Sequence, residues 1–406
     1  MTPNDFPYIT AVHVNDCFAY QNFDINLPPL NGKPFSHLIL TGKNGSGKTT
    51  ILRGIEQHIG LGLYGNNSNS TNGYADPVFL KTAIDNLNSL LVWRNKYYWY
   101  NAVNISLANT NQLIQYKGKS IFSLFIANRQ ANPKEVVTPT KESEFAVQLT
   151  NATSTDYFTQ QFKQYLVNKK VQQAFSQIDK NTAGVQLTEQ FFDIFTKILK
   201  RFFEDDALTL VFTNKNYEFN IVLGDGRKIT FNQLSDGFSS FIYVLADLLI
   251  RRDLIRSSLG DYTYEPCGIV LLDEPEGHLH IKAQYDVLPI LTEFFPNVQF
   301  IVATHSPAVI SSIKNTTVFD ITRQTTVTDE IVGSSYSELM VTQFGLENEF
   351  SPIVDEILDN IGKALKEAKG NKPLLKQKMQ EILRGNERYL SPVLNLEIES
   401  LIIENS

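Results

Sequence analysis

The sequence predicts an α/β protein made of a mixed N-terminal β-sheet, a parallel sheet, a helical lobe and a helical C-terminal tail. Three observations carry this. An apolar run at residues 36–40 breaks directly into the glycine-rich turn TGKNGSGKTT, and ILRGIEQHI behind it has helical spacing. Residues 268–321 alternate buried-type strands, GIVLLD and QFIVAT, with a helical segment, the pattern of parallel α/β units. Between these blocks, TDYFTQQFKQYLVNKKVQQAFSQI and EQFFDIFTKILKRFF are periodic at helical spacing.

Along the chain, YITAVHVNDCFAYQNFDINLP alternates like strands with turn residues between, which predicts a hairpin feeding the first sheet. Residues 60–77, GLGLYGNNSNSTNGYADP, are polar and glycine-rich and are expected to form a flexible loop. SIFSLFIANRQ reads as a buried strand ending in polar residues. LTLVFTNKNYEFNIVLGDGRKITF reads as strands joined by turns, with Gly224-Asp225-Gly226 the strongest hairpin signal. The tail from about Tyr336 is helical and charged. The expected parts are therefore 1–137, a helical lobe at 138–208, a second α/β part at 209–330 and a tail at 331–406.

The chain has 406 residues, of which 42% are hydrophobic, enough for a substantial core. A formal charge of −7 argues against nucleic-acid binding over the whole surface, although a local basic patch would not register in that sum. The start, MTPNDFPYIT, lacks a basic segment followed by an apolar run. No stretch approaches the ~18 apolar residues of a membrane span. A cytoplasmic protein is expected. Cys17 and Cys267 stand beside apolar residues, which points to core burial, and two cysteines make neither a disulfide framework nor a cysteine zinc site.

The chemistry starts at GKNGSGKT, residues 42–49, a P-loop pattern. Gly42, Gly45 and Gly47, with Asn44 and Ser46 between them, let backbone N–H groups curl around a phosphate, and the following helix turns its positive end toward the same anion. Lys48 is placed for the β- and γ-phosphates, Thr49 for a magnesium ion, and Thr50 completes the ATP-binding set. In GIVLLDEP the apolar strand ends in Asp273 and Glu274, where open α/β sheets bind ligands. Asp273 suits the metal and Glu274 suits a general base for the attacking water. NQLSDGFSS places a serine and a glycine ahead of an apolar helical run, a pattern equally compatible with a plain helix cap.

In order, P-loop, LSDG, apolar strand with DE, then THS resembles the motif series of ABC-type ATPases, over residues 42–306. The resemblance implies an ABC-type ATPase head. Ser235 and Gly237 would form the signature that reaches in trans to the γ-phosphate on a partner's P-loop, and His305 would be the switch histidine. Asp236 stands where the commonest signature has a second glycine, a substitution that SMC- and RecF-like relatives tolerate. Gln130 is the candidate for the glutamine that contacts magnesium, while Arg129 beside it is an alternative phosphate contact. EPEGHLH resembles the D-loop of the RecF- and OLD-like branch. Its His278 and His280 suit one strand face but have no further Cys or His nearby for zinc. The Asn-Phe-Arg of such relatives has its nearest match in Asn15-Asp16-Cys17-Phe18, which lacks the arginine.

The long separation of Lys48 from Ser235 is unlike a transporter subunit, and the helices are too short for SMC arms. The chain resembles compact RecF-like ATPases, including those of anti-phage defence systems such as Septu and some retrons. That resemblance implies ATP and Mg2+ as cofactors, a homodimer, and a separate effector, a nuclease or toxin, gated by nucleotide. The tail after residue 330 carries neither histidine, cysteine nor an Asp-x-Asp pair, so a built-in nuclease of those kinds is not expected. The competing reading is a repair ATPase that clamps DNA. Lys169, Lys170, Lys197, Lys200 and Arg201, with Trp93, Tyr97, Tyr98 and Trp99, would then form the contact, unless they are a solvated helix face and a packed hairpin.

Overall fold

A computed structural model describes residues 2–15, 22–64, 103–109, 113–140, 156–327, 352–368 and 371–386, with single residues 396, 398 and 400. It divides into two compact units, Met1–Tyr336 and Ser337–Ser406.

The first unit opens with the expected hairpin. Strands β1 (Ile9–Val14) and β2 (Phe23–Asn26) pair antiparallel, and β4 (Val103–Leu107) adds to the other side of β1. The alternation of β2, with Phe23 and Ile25 buried and Asp24 and Asn26 exposed, marks a sheet that packs one face on the core.

The central sheet has six strands in the order β12-β11-β3-β10-β9-β5. They are β3 (His37–Thr41), β5 (Ile121–Phe125), β9 (Gly268–Asp273), β10 (Val298–Ala303), β11 (Thr316–Asp320) and β12 (Thr325–Val327). Five run parallel, and β12 closes the edge antiparallel to β11. Every residue of the five parallel strands is buried, which is why their sequences are apolar runs rather than alternations. Ala303 is in register with both Leu40 and Asp273, and Asp320 with Thr41. Strands β3, β9, β10 and β11 thus finish level, and the turns that leave them meet at one edge.

Helix α1 (Lys48–Tyr64) springs from β3. It continues through the first residues of the 60–77 segment that was expected to be a loop. Ile51, Ile55, Ile59 and Leu63 recur every fourth residue and are all buried, so the apolar stripe carries the helix past its glycines. The rest of that segment, with Trp93, Tyr97, Tyr98 and Trp99, lies outside the described residues.

The helical lobe comprises α2 (Asp156–Gln160), α3 (Phe162–Ile178) and α4 (Thr182–Phe203). Strands β6 (Thr209–Thr213), β7 (Glu218–Val222) and β8 (Lys228–Thr230) form a separate antiparallel sheet, with Gly226 at φ 86° in the β7–β8 turn. This sheet packs on the lobe: Phe219 stacks on Phe192 at 5.8 Å, and the buried Lys163 of α3 reaches Glu218 at 2.8 Å. Residues 209–230 therefore do not join the central sheet.

Helix α5 (Asp236–Leu259) is buried on all sides from Ser239 to Ile255. Three of its buried charges, Asp247, Arg251 and Asp253, are paired, while Arg252 donates to the carbonyl of Phe294. Arg251 bonds Asp247 at 2.8 Å, Ser123 of β5 donates to the same carboxylate at 2.9 Å, and Asp253 takes Tyr165 and Lys169 of α3. Two helices follow, α6 (Ile281–Phe294) and the single turn α7 (Pro307–Ile310). In the second unit, α8 (Pro352–Ala368) and α9 (Lys372–Asn386) enclose a small core of Val354, Ile357, Ile361, Leu375 and Met379. Among the described residues no helix is long and apolar enough to cross a membrane.

Candidate active site

The glycine-rich turn between β3 and α1 has the backbone its sequence requires. Gly42, Gly45 and Gly47 sit at φ 137°, 75° and 84°, a region that side chains disfavour. A Cβ on Gly42 would also lie 2.8 Å from the Thr322 hydroxyl. Lys43, Asn44 and Gly45 are exposed on the crest, and Ser46 and Thr50 are half-buried. Lys48, 6% exposed, folds back so that Nζ donates to the carbonyls of Gly42 at 3.0 Å and Lys43 at 3.2 Å. The buried hydroxyls of Thr41 and Ser46 lack hydrogen-bond partners in and beside this loop.

Opposite the turn, Thr49 Oγ1 donates to Asp273 Oδ2 at 2.8 Å, which joins the first turn of α1 to the end of β9. Burial pushes the Asp273 carboxyl above its ordinary range, although the Thr49 bond opposes this. Burial likewise lowers the Lys48 ammonium pKa, against the pull of Glu274 and Asp273. Glu274 follows at φ 45°, a left-handed position unusual for this residue. His305 Nε2 lies 3.9 Å from Glu274 Oε1, and burial together with Lys48 lowers the imidazole pKa. The glycine-rich turn, the acidic pair and His305 therefore form one cluster.

The donor set fits a magnesium nucleotide. Among the described residues no group of three or more His, Cys, Asp or Glu could hold a metal alone. One hydroxyl and one carboxylate side by side suit an ion that keeps waters and takes phosphate oxygens for its other ligands. His278 and His280 are exposed on the turn after β9, with His278 at φ 60°, so they do not share a strand face.

A second cluster gathers the signature segment. Ser235 is the N-cap of α5, is exposed, and makes no capping bond with its side chain. Gly237 is buried so tightly that a Cβ would sit 2.5 Å from the carbonyl oxygen of His278. Phe238 stacks on Phe203 at 4.2 Å and meets Phe202 edge-on at 5.1 Å, fixing the helix start to the end of α4. The side-chain amide of Gln130, the candidate magnesium contact, donates to Asp236 Oδ1 at 3.0 Å, because the 129–131 segment runs along the start of α5.

Two residues gain roles that their sequence positions did not suggest. Glu276 accepts the Thr304 hydroxyl at 2.5 Å and the His305 backbone N–H at 3.0 Å, so the turn after β9 holds the segment that follows β10. Its only sequence signal is a second acid in EPE. The Arg129 guanidinium is buried and donates to the carbonyls of Ile126, Asp273 and Glu274.

The basic residues considered for nucleic acid are largely committed. Lys169 is buried against Asp253 at 2.8 Å, Lys170 lies 4.1 Å over the Phe192 ring, and Lys197 and Arg201 pair with Glu293. Arg201 also reaches Asp286 at 2.7 Å. Cys267 is buried at the entry to β9. Asp16, Cys17 and Phe18 lie outside the described residues.

Residues 123–311 match the family described as "AAA domain, putative AbiEii toxin, Type IV TA system". The "Retron Vc95 probable ATPase" of Vibrio cholerae serotype O1 biovar El Tor is 37% identical over 92 residues, 23% of this chain and 18% of that protein. The motif order and its convergence at one sheet edge resemble those of ABC-type ATPase heads, and the chain spans less than a fifth of the length of this retron relative. The chain is also 23% identical over 287 residues to the "Septu protein PtuA" of Bacillus thuringiensis, covering 68% of this chain and 67% of the relative. A solved SMC head bound to the C-winged helix domain of ScpA has 12% identity and a TM-score of 0.39, covering 77% of this chain and 95% of that one. That likeness is too distant to bear on the site.

Proposed function

We propose that the head binds ATP with magnesium at the P-loop and hydrolyses it in a homodimer, and that its nucleotide state gates a separate effector, a nuclease or toxin of anti-phage defence. The observation that carries the ATPase reading is the 2.8 Å bond from Thr49 to Asp273, which joins the phosphate-binding turn to the acidic strand end.

In this reading the N–H groups of the turn at Gly42, Asn44, Gly45, Ser46, Gly47, Lys48 and Thr50 surround the phosphates. Lys48 exchanges two neutral carbonyl partners for charged phosphate oxygens, a stronger pairing. Thr49 and Asp273 hold the magnesium ion, which when bound offsets phosphate charge. Glu274 takes the proton of the attacking water, and His305 faces the γ-phosphate from the next strand end. Ser235 and Gly237, with an uncommitted serine hydroxyl at the positive end of a long helix, serve the partner's phosphate. The effector role draws on the retron and Septu relatives. The DNA-clamp reading loses support because most of its basic residues already have partners within the chain.

ATP turnover, measured with and without magnesium, tests the proposal. Lys48→Ala should lose nucleotide binding or turnover. Glu274→Gln should bind ATP but turn over about 10²–10⁴-fold more slowly, the usual scale for a missing general base. Parent rates in both variants would remove these residues from any mechanism.

A further inference from the structure

Arg129 was a rival phosphate contact at the level of sequence, and its surroundings assign it different work. It is 6% exposed and lies between the end of β5 and the end of β9. Burial brings the guanidinium down to about 10, so it keeps its charge at neutral pH. A buried cation of this kind is normally met by carboxylate or phosphate. Here both terminal nitrogens are spent on carbonyl oxygens: one on Ile126 at 2.6 Å and Asp273 at 2.7 Å, the other on Glu274 at 3.0 Å.

The choice of carbonyls is informative. That of Asp273 belongs to the peptide preceding the Glu274 Cα, and that of Glu274 to the peptide following it. The planar fork therefore grips both peptide planes whose rotations define φ and ψ of Glu274. That residue holds φ 45°, a conformation a glutamate does not adopt without support. The Glu274 N–H is fixed separately on Ala303 at 2.8 Å and its carbonyl also accepts the Gly277 N–H at 3.2 Å, but the arginine is the side chain that holds both peptides at once.

The segment carrying the arginine is itself tied to the signature helix. Gln130 donates to Asp236, and the Ala131 N–H donates to the Ser239 hydroxyl at 2.9 Å. We propose that Arg129 is a positioning residue that aims the Glu274 carboxylate by clamping its backbone, and that it carries movement of the start of α5 to that carboxylate. This rests on the ATPase reading above, with Glu274 as the base.

The test compares kcat and KM for ATP hydrolysis in the full chain and in Arg129→Gln, Arg129→Lys, Glu274→Gln and the double variant Arg129→Gln/Glu274→Gln. Arg129→Gln should lower kcat about 10–100-fold, the usual effect of removing a residue that orients a reacting group, with KM within about threefold. Arg129→Lys should fall between it and the parent, since an ammonium reaches the carbonyls but cannot span them as a fork. In the double variant the loss should be that of Glu274→Gln alone, because the two residues act as a unit.

A KM that rises in step with the fall in kcat would instead make Arg129 a nucleotide contact and overturn the proposal. So would multiplicative losses in the double variant, or a parent kcat in folded Arg129→Gln. If Arg129→Gln does not fold, Arg129→Lys decides alone, and a kcat equal to the parent's overturns the clamp. Failure of the underlying reading looks different, because the parent itself would then hydrolyse no ATP.

Discussion

His37 illustrates how much a single buried side chain can govern. It sits on β3, beside β10, where its Nδ1 accepts the Phe300 N–H at 3.0 Å and its ring meets Phe35 edge-on. Burial drives its pKa down to about 3, so the folded chain holds it neutral. An unfolded histidine titrates near 6.5, hence this contribution to stability is complete above that pH and is lost as pH falls toward 3. Between pH 6.5 and 5 the loss should approach about 2 kcal/mol. Melting temperature followed against pH should decline over this window and flatten in His37→Gln; an equal slope in the variant would assign the decline to other groups. At this scale Lys48, Thr49, Asp273 and Glu274 were legible because their chemistry follows from local spacing. Arg129 and Glu276 were not, since their partners are a strand end and a switch segment far away in sequence.

At the scale of elements, helix α5 joins the parts of the first unit. Ser123 and Asp247 tie it to β5, Tyr165 and Lys169 tie it to α3, and Phe238 binds its first turn to α4. Gly237 is where that helix touches the D-loop backbone. Gly237→Ala should therefore separate the two by a few tenths of an ångström or more, costing about 1–3 kcal/mol, the range for overpacking a tight site. Denaturant unfolding measures that cost, and an unchanged midpoint would mean that the neighbouring turn yields freely. The parallel strands and the P-loop helix were readable from periodicity. Two features were not: α1 runs on through glycines because its apolar stripe persists, and β6–β8 pack on the helical lobe because aromatic contacts such as Phe192–Phe219 outweigh sequence proximity to the next strand.

For the whole molecule, the proposed dimer makes a prediction that no single site can. Ser235→Arg should keep nucleotide on its own P-loop yet abolish hydrolysis, the defect lying in the neighbour's site. Mixed with Lys48→Ala, it should regain activity, since one of the two composite sites then combines an intact P-loop with an intact serine. Light scattering and turnover on the mixture provide the check: mixed dimers without recovered activity would exclude a shared site.

The tight seat of Gly237 on the His278 carbonyl has a thermodynamic corollary. The helix start that carries Ser235, proposed to serve a neighbour, meets the turn that follows this chain's own Glu274 at Gly237, where a Cβ would not fit. In such a dimer, whatever factor a nucleotide on one subunit imposes through that contact on the other subunit's affinity is returned in equal size by the second nucleotide. The two sites would then report on each other in either order of filling, so occupancy rather than turnover alone could carry the signal.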